Sequence, residues 1–270
     1  MKKEEFIDLL EDIDDEYIIK AQGETLNKKV FTMKKWFALV AAIIIIGAFA
    51  TVVAAKQEYR IFFEETELEG EKAYYVCSEL EKFAFDDFSE NIKAVEKEIA
   101  RQYRDYEPYM SSFPGHWYRH FSSASEAKEF IGFEKFSVPE IGIPERDFYI
   151  SVYGDPSGKI SHIRAEFSYL DTENGYLGIQ IFADALTKNF EEDFFQSDIL
   201  SEEKYQTVRE TLNRKKTKFY IFDGEVSETG NRRTGMFFIK KGVLYYVNFV
   251  FSEEKAEKAE DIIQKVLNFY

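Results

Sequence analysis

Chemistry in this chain has few places to start: three histidines, one cysteine and many carboxylates. His116 and His120 flank Trp117-Tyr118-Arg119, and on a helix that spacing would aim both imidazoles at one metal ion. No Glu follows His116 as in H-E-x-x-H, and Pro114-Gly115 opens the stretch against a helix. The pair is therefore read as surface or interface histidines in an aromatic loop, with no metal assigned. His162 falls on the polar side of an alternating segment and is expected in solvent. Cys77 has no second cysteine to pair with, and Ala73-Tyr74-Tyr75-Val76 before it marks a small buried residue.

Nucleophile and phosphate motifs are missing from the sequence. It holds no G-x-S-x-G, no G-x-x-x-x-G-K-[ST] and no G-x-G-x-x-G. Gly154-Asp155-Pro156-Ser157-Gly158 resembles a phosphate loop only superficially and reads as a hairpin connection. Asp171-Thr172-Glu173-Asn174 gathers oxygens in one turn but lacks the acidic twelfth position of a calcium loop. With 50 acids, close carboxylate pairs arise by chance, so a glycosidase gains no specific support. The tract Tyr109–Phe121 is the most unusual local feature. Its rings could stack a sugar or peptide, but the preferred reading is a seal between two halves of a domain. No catalytic, cofactor-binding or metal residue is assigned, no cofactor is expected, and the chain is not expected to be an enzyme.

Positioning elements begin with an apolar run. Trp36–Ala55 is twenty residues without a charge, and at about 1.5 Å per residue a helix of that length crosses a bilayer's hydrocarbon core. Trp36 suits the interface, and Lys28, Lys29, Lys34 and Lys35 precede the run, against Lys56 and Arg60 after it. The positive-inside rule then places the N-terminus in the cytoplasm and the long C-terminal part outside, in a single-pass cell-membrane protein. A signal peptide is disfavoured because 35 net-acidic residues precede the run. The formal charge of −15 argues against nucleic acid, which needs clustered cations. Most of it, −13, lies in 56–270.

The predicted organisation is a cytoplasmic tail (1–35), the span (36–55), a membrane-proximal segment (56–121) and a distal domain (122–270). In the tail, Phe6, Leu9, Leu10, Ile13, Tyr17 and Ile18 recur at helical spacing, with acids opposite. So short a helix is marginal alone, and Asp12–Glu16 keeps it off anionic lipid. Phe6, Leu10, Ile13 and Tyr17 are the candidate residues for binding a cytoplasmic protein. Beyond the span, Tyr59–Phe63 and Ala73–Ser78 read as strands around an acidic turn, and Asp86–Tyr106 as a helix. Ser123–Glu126 caps a helix over Ala127–Gly132. Ile163, Ala165, Phe167 and Tyr169 alternate with His162, Arg164, Glu166 and Ser168 in a half-buried strand that Asn174-Gly175 turns into Tyr176–Ala183. Ser201–Arg214 reads as a polar helix, Lys218–Phe222, Thr234–Ile239 and Val243–Phe251 as strands, and Ser252–Phe269 as a closing helix capped by Ser252. The fold class is α+β: an antiparallel sheet of hairpins with flanking helices, preceded by one transmembrane helix.

Three stretches resemble a widespread group of uncharacterised Gram-positive bacterial single-pass membrane proteins described as anti-sigma-factor-like. They are Ile13-Asp14-Asp15-Glu16-Tyr17-Ile18 followed by Lys34-Lys35-Trp36, then Ser125-Glu126-Ala127 through Phe133 to Val138-Pro139, and finally Ile239–Phe251 with Ser252–Leu267. The resemblance implies an extracytoplasmic sensor or interaction domain of unknown ligand, signalling to a cytoplasmic transcription factor. The tail departs from zinc-binding anti-sigma factors, because its 35 residues hold neither His nor Cys. The expected function is a membrane-anchored sensor or interaction domain. The alternative is a membrane-tethered enzyme acting on cell-envelope material.

Overall fold

Alternation between two faces, repeated strand after strand, builds most of this molecule. The computed structural model describes residues 59–270 apart from 111–114, 156, 225 and 228, and only the backbone of 103–110. The expected tail helix with Phe6, Leu10, Ile13 and Tyr17, and the expected span Trp36–Ala55, lie outside these residues. Among the described residues no helix is long and apolar enough to cross a membrane.

In chain order the elements are β1 (Arg60–Leu68), β2 (Glu71–Glu79), β3 (Lys82–Phe83), α1 (Glu90–Met110), β4 (Gly115–Phe121), α2 (Ala124–Ile131), β5 (Glu145–Gly154), β6 (Ile160–Asp171) and β7 (Leu177–Thr187). There follow β8 (Phe195–Ser201), α3 (Glu202–Gln206), β9 (Arg209–Leu212), β10 (Lys218–Gly224), β11 (Arg232–Lys240), β12 (Val243–Phe251) and α4 (Ala256–Phe269). The large sheet runs β4-β5-β6-β7-β12-β11-β10-β9, and β3 joins it in parallel beside the end of β7 that β12 does not reach. It is two meanders, β4–β7 and β9–β12, joined where β7 and β12 pair antiparallel. A second sheet, β1-β2-β8, has three strands. The class is α+β and mostly antiparallel, as the hairpin signals predict.

The faces of the large sheet are covered differently. One face carries Ile150, Ile163, Ile181, Phe249 and Phe238, and buries them against Ile92 and Ile99 of α1, Ala127 and Ile131 of α2, and Ile262 and Val266 of α4. On the other face, Tyr220, Phe222, Phe237 and Leu244 pack under Ile61, Val76 and Leu200 of the small sheet. At about 1.5–3 kcal/mol per buried large apolar side chain, these two cores are the main source of stability. The last helix seats one apolar face on this core: Ala259, Ile262, Ile263 and Val266 are buried, and Ala256 and Leu267 pack at the margin.

Several expectations need correction. Glu64–Leu68 continues β1 instead of turning, because Glu69 and Gly70 alone, at φ 54° and 85°, make the reversal. The helix read at 86–106 runs from Glu90 to Met110, with a 3-10 turn at Phe85–Asp87 before it. A division after residue 121 would cut β4 from α2 and the rest of its sheet, and Glu58–Tyr270 is one compact unit. The polar helix read over Ser201–Arg214 shrinks to α3. There Ser201 Oγ accepts from Lys204 N, but Asn213 Oδ1 accepts from Lys215 N and Thr217 N, closing a turn that pairs β9 with β10. Ser252 does not cap α4: its hydroxyl accepts from Tyr176 N at 3.2 Å, and a 3-10 turn, Glu253–Lys255, leads into the helix. Ser123 does cap α2, with its Oγ accepting from Glu126 N, while Glu126 Oε2 reaches back to Ser122 N instead of completing the box on Ser123.

Candidate functional site

The face of the large sheet opposite the helices is only partly roofed by the small sheet, and the remainder is open. Register fixes what stands there. One row crosses five strands as His120, Tyr149, Glu166, Phe182 and Tyr246; the next reads Asp147, Ser168, Gln180 and Asn248. Behind them lie Leu170, Gly178 and Val250. Tyr149 and Glu166 of the first row, the second row and the residues behind it line a groove of about 270 Å³. Gly178 leaves its floor low, and the Tyr176 hydroxyl end folds over it, 3.0 Å from where a Cβ would be.

The groove's polar groups form a ladder. Glu166 Oε1 accepts from Ser168 Oγ and from Gln180 Nε2, each at 3.3 Å, and Asn248 Nδ2 donates to Gln180 Oε1 at 3.5 Å. These bonds are long, near the limit for the interaction. At the rim, Arg146 pairs with Asp147 at 3.0 Å.

A buried charge cluster sits where the open face meets the roof. Asp184 is 1% exposed and accepts from Arg164 Nε at 2.7 Å and Arg164 Nη2 at 3.1 Å, with His162 Nε2 at 2.6 Å. Burial pushes the Asp184 carboxyl up, but the Arg164 charge and the His162 hydrogen bond outweigh it and hold the pKa below the usual range. Burial likewise pulls Arg164 down, and the Asp184 charge reverses it, leaving the guanidinium raised. Asp198 of β8 lies near, its carboxyl pushed up by burial despite the hydrogen bond from Ile199 N. Arg164 also stands over the Phe182 ring at 5.6 Å, and Phe182 stacks on Tyr246.

The residues singled out by sequence fall as follows. His116 and His120 lie on a strand, not a helix, so their four-residue spacing separates them by about 13 Å. His116 stacks on Tyr153 at 4.6 Å and is lowered in pKa, by burial and then by the nearness of His162. His120 approaches Asp147 at 3.5 Å. The expectation of an exposed His162 is overturned: it is 8% exposed, stacked on Tyr153 at 4.8 Å and tied to Asp184. No group of three His, Cys, Asp or Glu suited to a metal ion occurs among the described residues. Cys77 is buried, and burial pushes its thiol up to about 11, with Glu64 adding to the shift. The turn considered for calcium has its key oxygen occupied, because Asp171 Oδ2 accepts from Lys255 Nζ and Lys258 Nζ, each at 2.7 Å.

The described part of the aromatic tract is an edge strand, not a seam between halves. Trp117 and Phe121 turn inward onto Phe130 of α2, while His116, Tyr118 and His120 face out on the open side, Tyr118 being 67% exposed. Asp184 was missed by motif reading, although one acid in the otherwise apolar run Ile181–Leu186 is a signal in itself. A carboxylate there must find a cation, and Arg164 faces it directly in register. Chemically, the Asp184–His162 pair resembles part of a hydrolytic triad. Yet no hydroxyl or thiol hydrogen-bonds His162 among the described residues, and the buried carboxylate is engaged in an ion pair with Arg164.

No protein-family model, curated protein or solved structure matches the chain.

Proposed function

We propose that this chain is a membrane-anchored binding protein whose outer domain senses or engages an envelope ligand across the open half of its large sheet. One observation carries the reading: a sheet with one face sealed by helices and half the other sealed by a second sheet leaves its remaining surface bare. That surface carries aligned aromatic rings and hydrogen-bonding groups, Tyr118, Tyr149, Glu166, Gln180 and Asn248, on a rigid scaffold. The apolar run Trp36–Ala55 supplies the anchor, and the tail face of Phe6, Leu10, Ile13 and Tyr17 supplies a route to a cytoplasmic partner. The −13 charge of 56–270 keeps the domain off anionic lipid and free on its tether. The rival, a tethered enzyme, gains no support from the Asp184–His162 pair.

The test is photocrosslinking in intact membranes from p-benzoylphenylalanine at Tyr118, with Lys265 on the outer side of α4 as the control position. Discrete adducts are expected at Tyr118, lost when Tyr149→Arg obstructs the face. The same adducts at both positions, or their persistence in the Tyr149→Arg chain, would sink the assignment.

A further inference from the structure

We propose that the groove between Tyr149 and Tyr176 is a subsite for a neutral, hydroxyl-rich sugar ring. This deepens, and rests on, the reading of the open sheet face as a recognition surface. Three properties of the groove select the ligand class. Its groups are planar and two-sided: the Glu166 carboxylate only accepts, while the Gln180 and Asn248 amides both donate and accept. Glu166 Oε2 and Asn248 Oδ1 have no hydrogen-bond partner among the described residues, and the bonds within the ladder are 3.3 to 3.5 Å long. Hydroxyls of a sugar, each donor and acceptor, can complete and shorten that ladder.

The second property is charge. Arg146 and Asp147 satisfy each other, leaving the single carboxylate of Glu166 beside the amides. A phosphate or carboxylate ligand meets repulsion there, and an acyl chain would leave the carboxylate and two amides buried without partners. The third is shape. Tyr149 and Tyr176 both line the groove, the Tyr176 ring lying over Gly178, and aromatic rings of this kind stack on the C–H side of a pyranose. An extended peptide is disfavoured because β6, β7 and β12 are interior strands whose backbones are already paired on both sides, so no edge is offered for strand addition. The groove, about 270 Å³, lies below the roughly 300–1,000 Å³ of drug-sized sites, so it seats a ring or two and leaves the rest of a longer glycan outside.

The experiment titrates the full chain in detergent micelles with chitotetraose, cellotetraose, mannotetraose and galactotetraose, alongside a glycerol phosphate oligomer, by calorimetry and saturation-transfer NMR. At least one neutral sugar is expected to bind saturably. Glu166→Ala and Tyr149→Ala should each weaken it about tenfold or more, and Tyr149→Phe and the off-face control Lys265→Ala by less than about twofold. Equal thermal midpoints show that the variants are folded, and the Tyr149→Phe result separates ring stacking from a general loss of structure. Preference for the phosphate oligomer, or sugar binding untouched by Glu166→Ala, would overturn the proposal. Silence of every sugar while Tyr118 still crosslinks specifically would also overturn it, yet leave the recognition face standing.

Discussion

Asp184 shows how a side chain can look catalytic and be structural. Its carboxylate is buried between Ala183 and Ala185, and a lone charge there would cost several kcal/mol. Arg164 supplies the counter-charge, and Arg164 and His162 together fill its lone pairs. Asp184→Asn therefore leaves the partly buried Arg164 guanidinium without its anion. It should destabilise the protein by about 3–5 kcal/mol, or roughly 6–20 °C in thermal midpoint. The pH dependence follows from the sign of the shift. Asp184 is held below its unfolded value of about 3.9, so its contribution is complete above that pH and is lost as pH falls through the folded pKa. Acid unfolding followed by circular dichroism should be less steep below about pH 4 in Asp184→Asn than in the wild type; identical profiles would show that Asp184 carries no such linkage. At this scale the sequence was half legible. Alternation put His162 on the polar face correctly, but that face of β6 is partly roofed by β8, and the roof comes from a distant segment with no local signal.

At the scale of elements, turn chemistry was the most readable feature. Asn174-Gly175 and Lys241-Gly242 both reverse the chain at positive φ as hairpin residues should. Two glycines test how far conformation and space can be separated. Gly70 has φ +85° and nothing within 4 Å of a would-be Cβ, so Gly70→Ala costs about 1–2 kcal/mol of left-handed strain. Gly158 has a similar φ of +88°, but its Cβ would lie 2.7 Å from Glu96 O and 2.8 Å from Ala100 Cβ on α1. Gly158→Ala should cost roughly 1–3 kcal/mol more, because helix backbone cannot step aside like a flexible side chain. Chemical denaturation of both variants decides it, and equal losses would mean that the hairpin simply shifts away from α1. Where the reading failed, as at 201–214, a short polar segment carried compatible helix and strand patterns, and the Asn213 turn with the waiting edge of β10 chose the strand. The helix expected from the tail sequence is of the same marginal kind. If Phe6, Leu10, Ile13 and Tyr17 dock in a partner groove, Leu10→Ala with Ile13→Ala should remove roughly 2–4 kcal/mol of binding, and Asp12→Asn on the opposite side much less. A pull-down with the tail on its own anchor checks this, and equal recovery by both chains would leave the tail as a mere leader.

At the scale of the whole molecule, the fold class was legible but the layering was not. Periodicity says which residues of a strand share a face; it does not say which other element covers that face. The pairing of β2 with β8, more than a hundred residues apart, and the meeting of two meanders at β7 and β12 are such non-local choices. The same limit makes topology across the membrane the most consequential open expectation. Four lysines stand just before the apolar run and two cations follow it, from which the positive-inside rule predicts residues 1–35 inside and 56–270 outside. The structure improves the test. Cys77 is buried, and its thiol is pushed up to about 11, so it reacts poorly with water-soluble maleimides; Cys77→Ser removes the residual signal. In that background Asn27→Cys reports on the tail and Thr229→Cys on the exposed turn before β11, where Ser227 N donates to Asn231 O and Gly230 N donates to Ser227 O. Intact cells treated with an impermeant maleimide should label Thr229→Cys and spare Asn27→Cys until the membrane is opened. The reverse pattern would place the acidic domain in the cytoplasm, and with it the groove of Tyr149, Glu166 and Gln180 would face metabolites instead of envelope material.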